Sequence, residues 1–412
     1  MTETLPRRTP CGMFPSAFYS RVVALSIICT AFPYLDAKAA PKSLTVEAGE
    51  HDRQDCVVTV AWDKKDSKHY QLKAKDGRTF SLQNDDKGQA SFVLDKLAKN
   101  QSLTLTVKTA KQKPSASAKR SGTAIDLQNN GKKVLSYQMA DTEAPRPEIK
   151  PVYRHNSYLH PILTPSGKTV TGDYPPDHLW HRGIWYAWTH TEFGESAPDF
   201  WNQSKGDKLT ARIDFDKLEN TWSGPVHAGF SSSHKFLDSG APVLDETWQV
   251  KTYALPGSKL HVIDLVSVQS CATDKPLKLP KYYYGGLGFR ANPQWEQKDN
   301  VSFMISSGET DRVKMNEQRI NWIRISGKTD GELASITLMD HPGNFRSPQP
   351  IRVNPKNPQT CFAPSQLGDW SIEPGKPLTA RYRFIVADGV PEKAELDRLW
   401  QDYAYPPKVT VK

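Results

Sequence analysis

The densest group of residues that could do chemistry lies between His155 and Trp201. Five of the chain's eleven histidines and four of its eleven tryptophans fall within this stretch. Buried imidazole and indole N–H groups each need a hydrogen-bond partner, so a hydrophobic core holds few of them. We therefore interpret the stretch as the lining of a polar cleft. The alternative is that these side chains are packed structural residues.

The Asp-His-Leu-Trp-His-Arg motif that starts at Asp177 supports three hypotheses. In the first, His178 and His181 bind a divalent metal together with His190, and Asp177 orients one imidazole. In the second, one histidine is a general acid or base, and Arg182 holds an anionic or hydroxyl-rich substrate. In the third, these side chains only hydrogen-bond a structured loop. A His-x-x-His pair is a weak metal signal, so we predict no cofactor.

Tryptophans in the same stretch narrow the class of ligand. Aromatic faces pack against the C–H face of a sugar, while His, Asp and Arg side chains bond its hydroxyls. This segment has both kinds of residue, although residues 184–188 also fit a strand with one buried face. We therefore expect a carbohydrate ligand, and the expected binding residues are Asp177, Arg182, Trp185, His190, Trp201 and His160.

Two residues outside the stretch are candidate partners in acid–base chemistry. Glu246 lies in the middle of a strand-like segment, and alternation leaves open whether it faces inward or outward. If it faces inward, burial raises its pKa and suits it to proton transfer. His341 follows a strand in a Pro-Gly loop, where sites are often built. The expected catalytic set is His178 or His181 as the acid, with Glu246 or His341 as the base.

The elements that must position these residues are predicted to be mainly β-strands. Apolar and polar residues alternate with a period of two, and no long crossover helices separate the strands, so antiparallel pairing is expected. We predict a small N-terminal β-sandwich module at residues 41–110, a linker at 111–122 and a large antiparallel β-sandwich or supersandwich domain at 123–407. A C-terminal helix follows Pro391, because the apolar residues recur at helical spacing: Leu396, Leu399, Trp400 and Tyr403.

The amino terminus has the pattern of an export signal over residues 1–39. Arginines up to Arg21 precede an apolar run at residues 22–32, and Ala37-Lys38-Ala39 is a small-x-small cleavage site. The apolar run is short for a bilayer span of about 20 residues, and no later segment is suited to one. We therefore expect a protein exported to the periplasm or the extracellular space.

Composition excludes several classes of protein. Hydrophobic residues are 37% and charged residues 24% of the chain, which excludes a membrane bundle and a disordered chain. The net charge of +9 is scattered along the sequence and no nucleic-acid motif accompanies it, so no nucleic-acid partner is expected. Three cysteines follow the predicted signal, and Cys271 with Cys361 is the more favoured pair if a disulfide forms.

An ordered set of motifs resembles the PmoA-like family over roughly residues 130–405. The motifs are YLHP at 158–161, TPSG at 164–167, DHLWHRGIW at 177–185, DFW at 199–201, GLGFR at 286–290, DHPGN at 340–344 and DRLW at 397–400. The name of this family refers to a methane oxygenase subunit, whereas its members resemble exported bacterial proteins encoded near sugar-processing oxidoreductases. Trp180 stands where the family usually has a histidine, so the resemblance favours proton transfer or hydroxyl binding over a metal.

The large domain is also similar in general plan to galactose-mutarotase-like β-supersandwiches. In those proteins a histidine acid and a glutamate base act on a sugar ring, and this likeness is at the level of the fold. The leading hypothesis is therefore an exported carbohydrate-active enzyme that acts by epimerisation, hydrolysis or elimination. The rival hypothesis is a non-catalytic glycan-binding protein that uses the same cleft.

Overall fold

The N-terminal module is built from six short strands. The computed structural model describes residues 42–62, 70–85, 87–141, 143–255 and 257–412, so the predicted export signal lies outside the described residues. Alternate apolar side chains of the module enclose a core of their own, which includes Trp62 and Phe92. The strands are β1 (Ser43–Glu47), β2 (Arg53–Ala61), β3 (Tyr70–Ala74), β4 (Thr79–Asn84), β5 (Gln89–Leu97) and β6 (Ser102–Thr109).

The larger domain consists mostly of antiparallel strands. Its first strands are β7 (Ala116–Ser121), β8 (Ala124–Asn129), β9 (Lys132–Gln138), β10 (Tyr158–Ile162), β11 (Ile184–Ala187), β12 (Ser204–Lys205), β13 (Lys208–Leu209), β14 (Ala211–Trp222), β15 (His227–Asp238), β16 (Ala241–Tyr253) and β17 (Leu260–Cys271). The later strands are β18 (Leu277–Leu279), β19 (Gly286–Arg290), β20 (Val301–Ile305), β21 (Trp322–Thr329), β22 (Glu332–Asp340), β23 (Ile351–Val353), β24 (Gln359–Phe362), β25 (Trp370–Ile372) and β26 (Leu378–Asp388). A further strand, β27 (Lys408–Val411), belongs to the sheet of the N-terminal module.

Two eight-stranded sheets of this domain share one hydrophobic core. Their strand orders are β23-β24-β19-β11-β10-β9-β8-β7 and β14-β15-β16-β17-β26-β22-β21-β20. The first sheet contributes Trp185 and Phe289 to the core, and the second contributes Trp248 and Phe384. Burial of apolar side chains from both sheets is the main force that holds them together. The predicted antiparallel, mainly β fold is confirmed.

Within the residues that the structure describes, helical structure is confined to short segments and the predicted C-terminal helix. The two α-helices of the described chain are α1 (Arg312–Met315) and α2 (Lys393–Ala404), and the 3-10 turns are Pro151–Tyr153, Pro293–Trp295, Lys298–Asn300 and Pro364–Leu367. Leu396 and Leu399 of α2 are buried, as the apolar spacing predicts. After α2, β27 pairs with β1 and becomes the edge of the module's sheet, whose order is β2-β5-β4-β3-β6-β1-β27.

Two expectations about the chain differ from the structure. Half of the segment 111–122, which we expected to be a linker, is β7, which pairs with β8 along its length. Its polar composition suits an exposed edge strand as well as a linker. The favoured Cys271–Cys361 disulfide is not formed, because both cysteines are free and Cys271 Sγ lies 3.1 Å from the carbonyl oxygen of Ile372. Across the described residues, no helix has the length and apolarity to cross a membrane.

The pairing of β11 with β19 determines where the aromatic residues of the site lie. Trp185 of β11 is opposite Gly288 of β19. A Cβ atom on Gly288 would lie 2.6 Å from the indole of Trp185 and 2.8 Å from that of Trp201. Because no real side chain makes such contacts, only glycine allows both indoles to pack over this strand.

Candidate active site

A cavity of about 190 Å³ opens beside the His- and Trp-rich stretch. A cavity of about 150 Å³ accepts a benzene molecule, so this one suits a ligand with roughly the size of one sugar ring. Polar and aromatic side chains from segments far apart in the sequence line it: His178, Trp180, His181, Trp201, Asn202, Tyr283, Tyr284, Arg352, Asn354 and Gln359.

A tight turn brings the two cavity histidines together. The amide of His178 donates to the carbonyl of Pro175, and the amide of His181 donates to the carbonyl of His178 at 2.9 Å. The two imidazole rings consequently lie almost parallel, with centroids 4.6 Å apart and an interplanar angle of 6°. The Pro-Pro pair favours this turn because it fixes the backbone before the motif.

Asp177 and His178 form a carboxylate–imidazole pair. Oδ2 of Asp177 lies 2.9 Å from Nδ1 of His178. The contact does not have the direction of a hydrogen bond, but a carboxylate this close favours the tautomer with hydrogen on Nδ1 and leaves Nε2 able to accept a proton. Burial alone raises the pKa of Asp177, but the close contact with His178 and the hydrogen bonds from Arg290 outweigh burial and hold the pKa well below its ordinary value. Asp177 is therefore ionised across the neutral pH range.

Arg290, at the end of β19, connects the charged groups of the site. Its fully buried guanidinium binds Oδ1 of Asp177 at 2.7 Å and both carboxylate oxygens of Glu296 at 2.6 Å. Bidentate pairing suits the planar guanidinium and fixes its orientation. Asn357 also donates to Asp177, at 2.5 Å. Arg290 belongs to the GLGFR motif at 286–290, from which no site residue was expected, so this arginine was missed.

His181 is buried and electrically neutral. Its Nδ1 lies 3.3 Å from Nη1 of Arg290, which has no acceptor, so Nδ1 accepts and Nε2 carries the hydrogen. Burial, followed by the positive charge of Arg290, lowers the pKa of His181 well below its usual value. The two cavity histidines thus differ: His178 is a candidate proton acceptor, and His181 is a neutral hydrogen-bond donor.

The aromatic side chains form a supporting wall and one open face. His181 stacks on Trp185 at 5.2 Å, and Trp185 lies 4.7 Å from Trp201. Trp185 and Trp201 are 1% and 2% exposed, so most of their surface is closed to a sugar. Tyr283 is instead 50% exposed, with the guanidinium of Arg352 5.5 Å from its ring centroid. The most exposed aromatic face at the cavity therefore belongs to a tyrosine that the sequence did not indicate, and Trp180 is only partly exposed beside it.

Arg182, the expected substrate anchor, lies outside this cavity. It follows His181 in an extended segment bridged to Asp173, and adjacent residues of extended backbone face opposite sides. Since His181 faces the cavity, Arg182 points into the protein, where it is 1% exposed. It lies against the side-chain amide of Gln203, whose oxygen, when oriented toward the guanidinium, is 2.7 Å away.

Glu246 faces inward, but it belongs to a different network. Its carboxylate is 1% exposed and binds Nδ1 of His234 at 2.8 Å, Oγ of Ser267 at 2.6 Å and Nε2 of Gln269 at 2.9 Å. These partners come from β15 and β17, in the sheet on the other side of the core. Glu246 is therefore not placed to act as the base partner of His178 or His181.

Three other expected site residues also lie elsewhere. His341 is beside α2, with its ring 5.1 Å from Tyr403 and its Nδ1 accepting from the amide of Gly343. His160 is paired with Thr171 at 2.9 Å. His190 stacks on Tyr282 at 4.7 Å and lines a neighbouring cavity of about 330 Å³.

The metal hypothesis required His178, His181 and His190 to converge on one point. Among the described residues, no group of three or more His, Cys, Asp or Glu side chains is arranged to hold a metal ion. His190 lines the neighbouring cavity, whereas the other two histidines line the candidate active site. The three-histidine site stays a hypothesis for elemental analysis.

Comparison with known proteins gives one family and several remote structural likenesses. The model of DUF6807, a family of unknown function, matches residues 124–401. No curated protein matches the chain. The resemblance to the PmoA-like family stays a prediction.

Solved structures of carbohydrate-active enzymes are among the likenesses. An alpha-mannosidase from Enterococcus faecalis is 10% identical over 90% of this chain and 46% of its own, with a TM-score of 0.46. A galactose mutarotase related enzyme from Lactobacillus acidophilus is 11% identical over 67% of this chain and 99% of its own, with a TM-score of 0.33. The chain spans less than half the length of the mannosidase. Likenesses this weak support no statement about activity.

Proposed function

The chain belongs to the DUF6807 family, whose function is unknown, and from its own residues we propose that it is an exported carbohydrate-active enzyme that transfers protons on a sugar or glycoside. One observation carries the proposal. His178, paired with the ionised Asp177, lies parallel to the neutral His181, paired with Arg290, at the edge of a cavity that suits one sugar ring.

The two histidines have complementary roles in this mechanism. Nε2 of His178 takes a proton from a C–H or O–H group of the sugar, and the carboxylate of Asp177 stabilises the imidazolium that forms. Nε2–H of His181 donates a hydrogen bond to the sugar oxygen on which negative charge develops. Protonated His178 then returns the proton to the product or its leaving group. With a proton taken from C–H, its return to the leaving oxygen completes an elimination, and its delivery to the opposite face of the same carbon by way of water completes an epimerisation. For hydrolysis of a glycoside, His178 instead takes the proton from a water molecule that attacks the anomeric carbon, and the proton then passes to the departing oxygen.

Arg290 acts through other residues and does not touch the substrate. Burial is the main reason that the pKa of His181 is low, and the positive charge of Arg290, whose N–H group donates to Nδ1 of His181, lowers it further. The same guanidinium fixes Asp177 against His178. One buried arginine thereby helps to keep the donor neutral and orients the carboxylate of the base.

Amide side chains and one arginine supply the binding groups. Asn354 and Gln359 offer amide N–H donors to sugar hydroxyls, and Asn202 offers its Oδ1 as an acceptor. Asn202 is held in place because it donates to Asp199 at 2.6 Å and to the hydroxyl of Tyr284 at 3.0 Å. Arg352 adds a positive charge that favours an acidic sugar or an oxidised one.

Turnover of defined sugars tests the proposal. Residues 41–412 are incubated with a panel of glycosides, uronic acids and oxidised sugars, and products are detected by mass spectrometry and NMR. His178→Ala should lower kcat by about 10²–10⁴-fold, the usual contribution of a positioned acid or base. His51→Ala, a change of the same kind in the N-terminal module, is the control and should retain full turnover.

A non-catalytic glycan-binding function is the alternative, favoured by the three amide side chains of the lining. Amides bind hydroxyls but do not transfer protons at neutral pH. Binding of a sugar that persists in His178→Ala, with no turnover by the unmodified protein on any member of the panel, would identify this function and exclude the enzyme.

A further inference from the structure

A second and larger cavity, of about 360 Å³, lies where the N-terminal module meets the sheet of β14, β15 and β16. The module contributes the end of β4 and the turn that follows it, and the larger domain contributes the outer face of three neighbouring strands. It shares no lining residue with the cavity of His178. The two cavities are therefore separate sites.

The register of the strands places two rows of side chains on this face. Asn220, Ser231 and Gln249 are paired across the three strands and form the first row. Trp222, Gly229 and Lys251 form the second row, two residues further along each strand. Residues two apart on a strand face the same side, so both rows look outward together. Apart from Gly229, every member of the two rows lines the cavity.

The indole of Trp222 is held in one position over the second row. Its Nε1 donates to Nδ1 of His227 at 2.9 Å. A Cβ atom on Gly229 would lie 2.4 Å from Cζ2 of Trp222, so the ring lies directly on this glycine. His227 is 2% exposed, and burial together with the charge of Lys251 lowers its pKa to about 3. The imidazole is thus neutral and keeps its acceptor for the indole.

A buried glutamine of the module holds the other wall of the cavity. Oε1 of Gln83 accepts from the backbone amides of Val226 and His227 at 3.0 Å, and its Nε2 donates to the carbonyl of His227 at 3.0 Å. Gln83 is 5% exposed, and there is no room for a side chain at Gly224, since a Cβ atom there would lie 2.2 Å from Gln83. These contacts fix the module against the strand that carries His227, so the cavity is formed before any ligand binds.

We propose that this cavity is a second carbohydrate-binding site, which holds an oligosaccharide chain of two or more sugar units. A fixed, partly exposed indole provides a surface for the C–H face of one sugar. The amides of Asn220 and Gln249 and the hydroxyl of Ser231 lie in a row beside it, which suits the hydroxyls of successive units. The proposal does not depend on the reaction at His178, because the two sites share no residue.

Binding of defined oligosaccharides tests the site. Hexasaccharides of glucose, mannose, galactose, xylose and galacturonic acid are titrated by calorimetry into residues 41–412 carrying His178→Ala, which excludes turnover. Trp222→Ala in this background should weaken binding of the recognised hexasaccharide about tenfold, which corresponds to about 1.4 kcal/mol, because a stacked aromatic contact is lost. Gln249→Ala should weaken binding without disturbing the contact between Trp222 and His227.

Lys217→Ala, an exposed change on β14 outside the cavity, is the matched control and should leave binding unchanged. Thermal unfolding of each variant separates loss of binding from loss of fold, and Gln249→Ala keeps the test valid if Trp222→Ala unfolds. Absence of binding to all five hexasaccharides, or binding that both cavity variants leave unchanged, overturns the proposal.

Discussion

Among single residues, Arg290 has the widest influence on the candidate active site. It is fully buried and pairs with two carboxylates and one imidazole. Asp177 and Glu296 are themselves partly exposed, with 40% and 25% of their side chains accessible. Water therefore screens the uncompensated charge that remains when the arginine is removed.

For this reason we predict that Arg290→Met lowers the free energy of unfolding only moderately. Removing one partner of a fully buried ion pair costs about 3–5 kcal/mol, and partial exposure of both carboxylates reduces the expected loss to about 2 kcal/mol. Urea unfolding measures this value. In the same variant His181 loses its positive neighbour, so its pKa, followed by NMR, should rise toward the ordinary value.

Glu296→Gln gives the comparison for that change. If Arg290 stabilises the fold through Glu296, the loss of unfolding free energy in the Arg290→Met/Glu296→Gln double variant should be smaller than the sum of the losses in the two single variants. An unfolding free energy for Arg290→Met equal to that of the unmodified protein, with an unchanged His181 titration, would contradict the role assigned to this arginine.

At the scale of elements, β19 positions the site because its residue 288 is a glycine and leaves room for two indole rings. Gly288 allows Trp185 and Trp201 to pack over the strand, and Trp185 supports the ring of His181. Gly288→Ala should therefore destabilise the protein by about 1–3 kcal/mol through overpacking, and also reduce turnover or sugar binding at the cavity. Thermal unfolding and the His178-dependent assay measure the two effects.

Gly331→Asn, in the turn between β21 and β22, is the control for a glycine substitution that meets no close neighbour. Gly331 has φ of +84° and open space around a potential Cβ atom, and asparagine tolerates this backbone region. That change should affect neither stability nor the site by more than a few tenths of a kcal/mol. Equal effects of the two substitutions would argue against the close packing at Gly288.

A second element, β27, is expected to protect the edge of the N-terminal module. It pairs with β1 over four residues, from Leu44 opposite Val411 to Glu47 opposite Lys408. Deletion of residues 408–412 leaves the backbone groups of β1 unpaired on that side, so their amide hydrogens should exchange faster. Hydrogen exchange measured by mass spectrometry should show this loss in β1 and unchanged protection in β19. Thr410→Ala keeps the backbone pairing and should behave as the unmodified chain does.

For the molecule as a whole, we predict that the free energy of unfolding falls in mild acid, because several histidines are buried in their neutral form. Burial lowers the pKa of His227 to about 3 and that of His261 to about 4, and it lowers the pKa of His181 as well. Their unfolded pKa is about 6.5, so below that pH the unfolded chain binds more protons than the folded one. Each such histidine should lower the free energy of unfolding by up to about 1.4 kcal/mol for each unit that the pH falls below 6.5.

The unfolding free energy from urea titrations should be highest above pH 7 and decline from pH 6.5 to pH 5. Burial raises the pKa of Asp340 and Asp402, and these groups act in the opposite direction at lower pH, so the measurement is best kept above pH 5. His227→Asn retains an acceptor for Trp222 and should make the decline shallower. A flat profile over this interval would contradict neutral burial of these histidines.

The sequence predicted the strands of this molecule better than the composition of its site. Period-two alternation reports which face of a strand is buried, and the apolar stripe around Leu396 and Leu399 correctly indicated α2. The concentration of histidines and tryptophans in one stretch of sequence correctly indicated that His178 and His181 line a cavity. It could not identify Arg290, because that side chain reaches the site only through the pairing of β19 with β11.

The positions of Arg182 and Glu246 were predicted wrongly because they also depend on tertiary packing. Alternation after His181 would have placed Arg182 on the opposite side of the chain, but the motif suggested that neighbours act together. Glu246 is buried, as one of the two alternatives held, yet which cluster a buried carboxylate joins depends on the packing of two sheets. The tyrosines of the cavity and the amides of Asn202 and Asn354 come from loops that no periodic pattern marks, and Gln359 begins the short strand β24.

The pairing of β27 with β1 also has a mechanical consequence. The amide of Lys42 donates to the carbonyl of Lys412 at 2.7 Å, so these two residues lie at the same end of an antiparallel pair. Hydrogen bonds in such a pair run across the strands, and a pulling force applied between residues 42 and 412 acts along these bonds, one after another. We therefore expect the pairing of β27 with β1 to open one hydrogen bond after another at low force, beginning at residues 42 and 412.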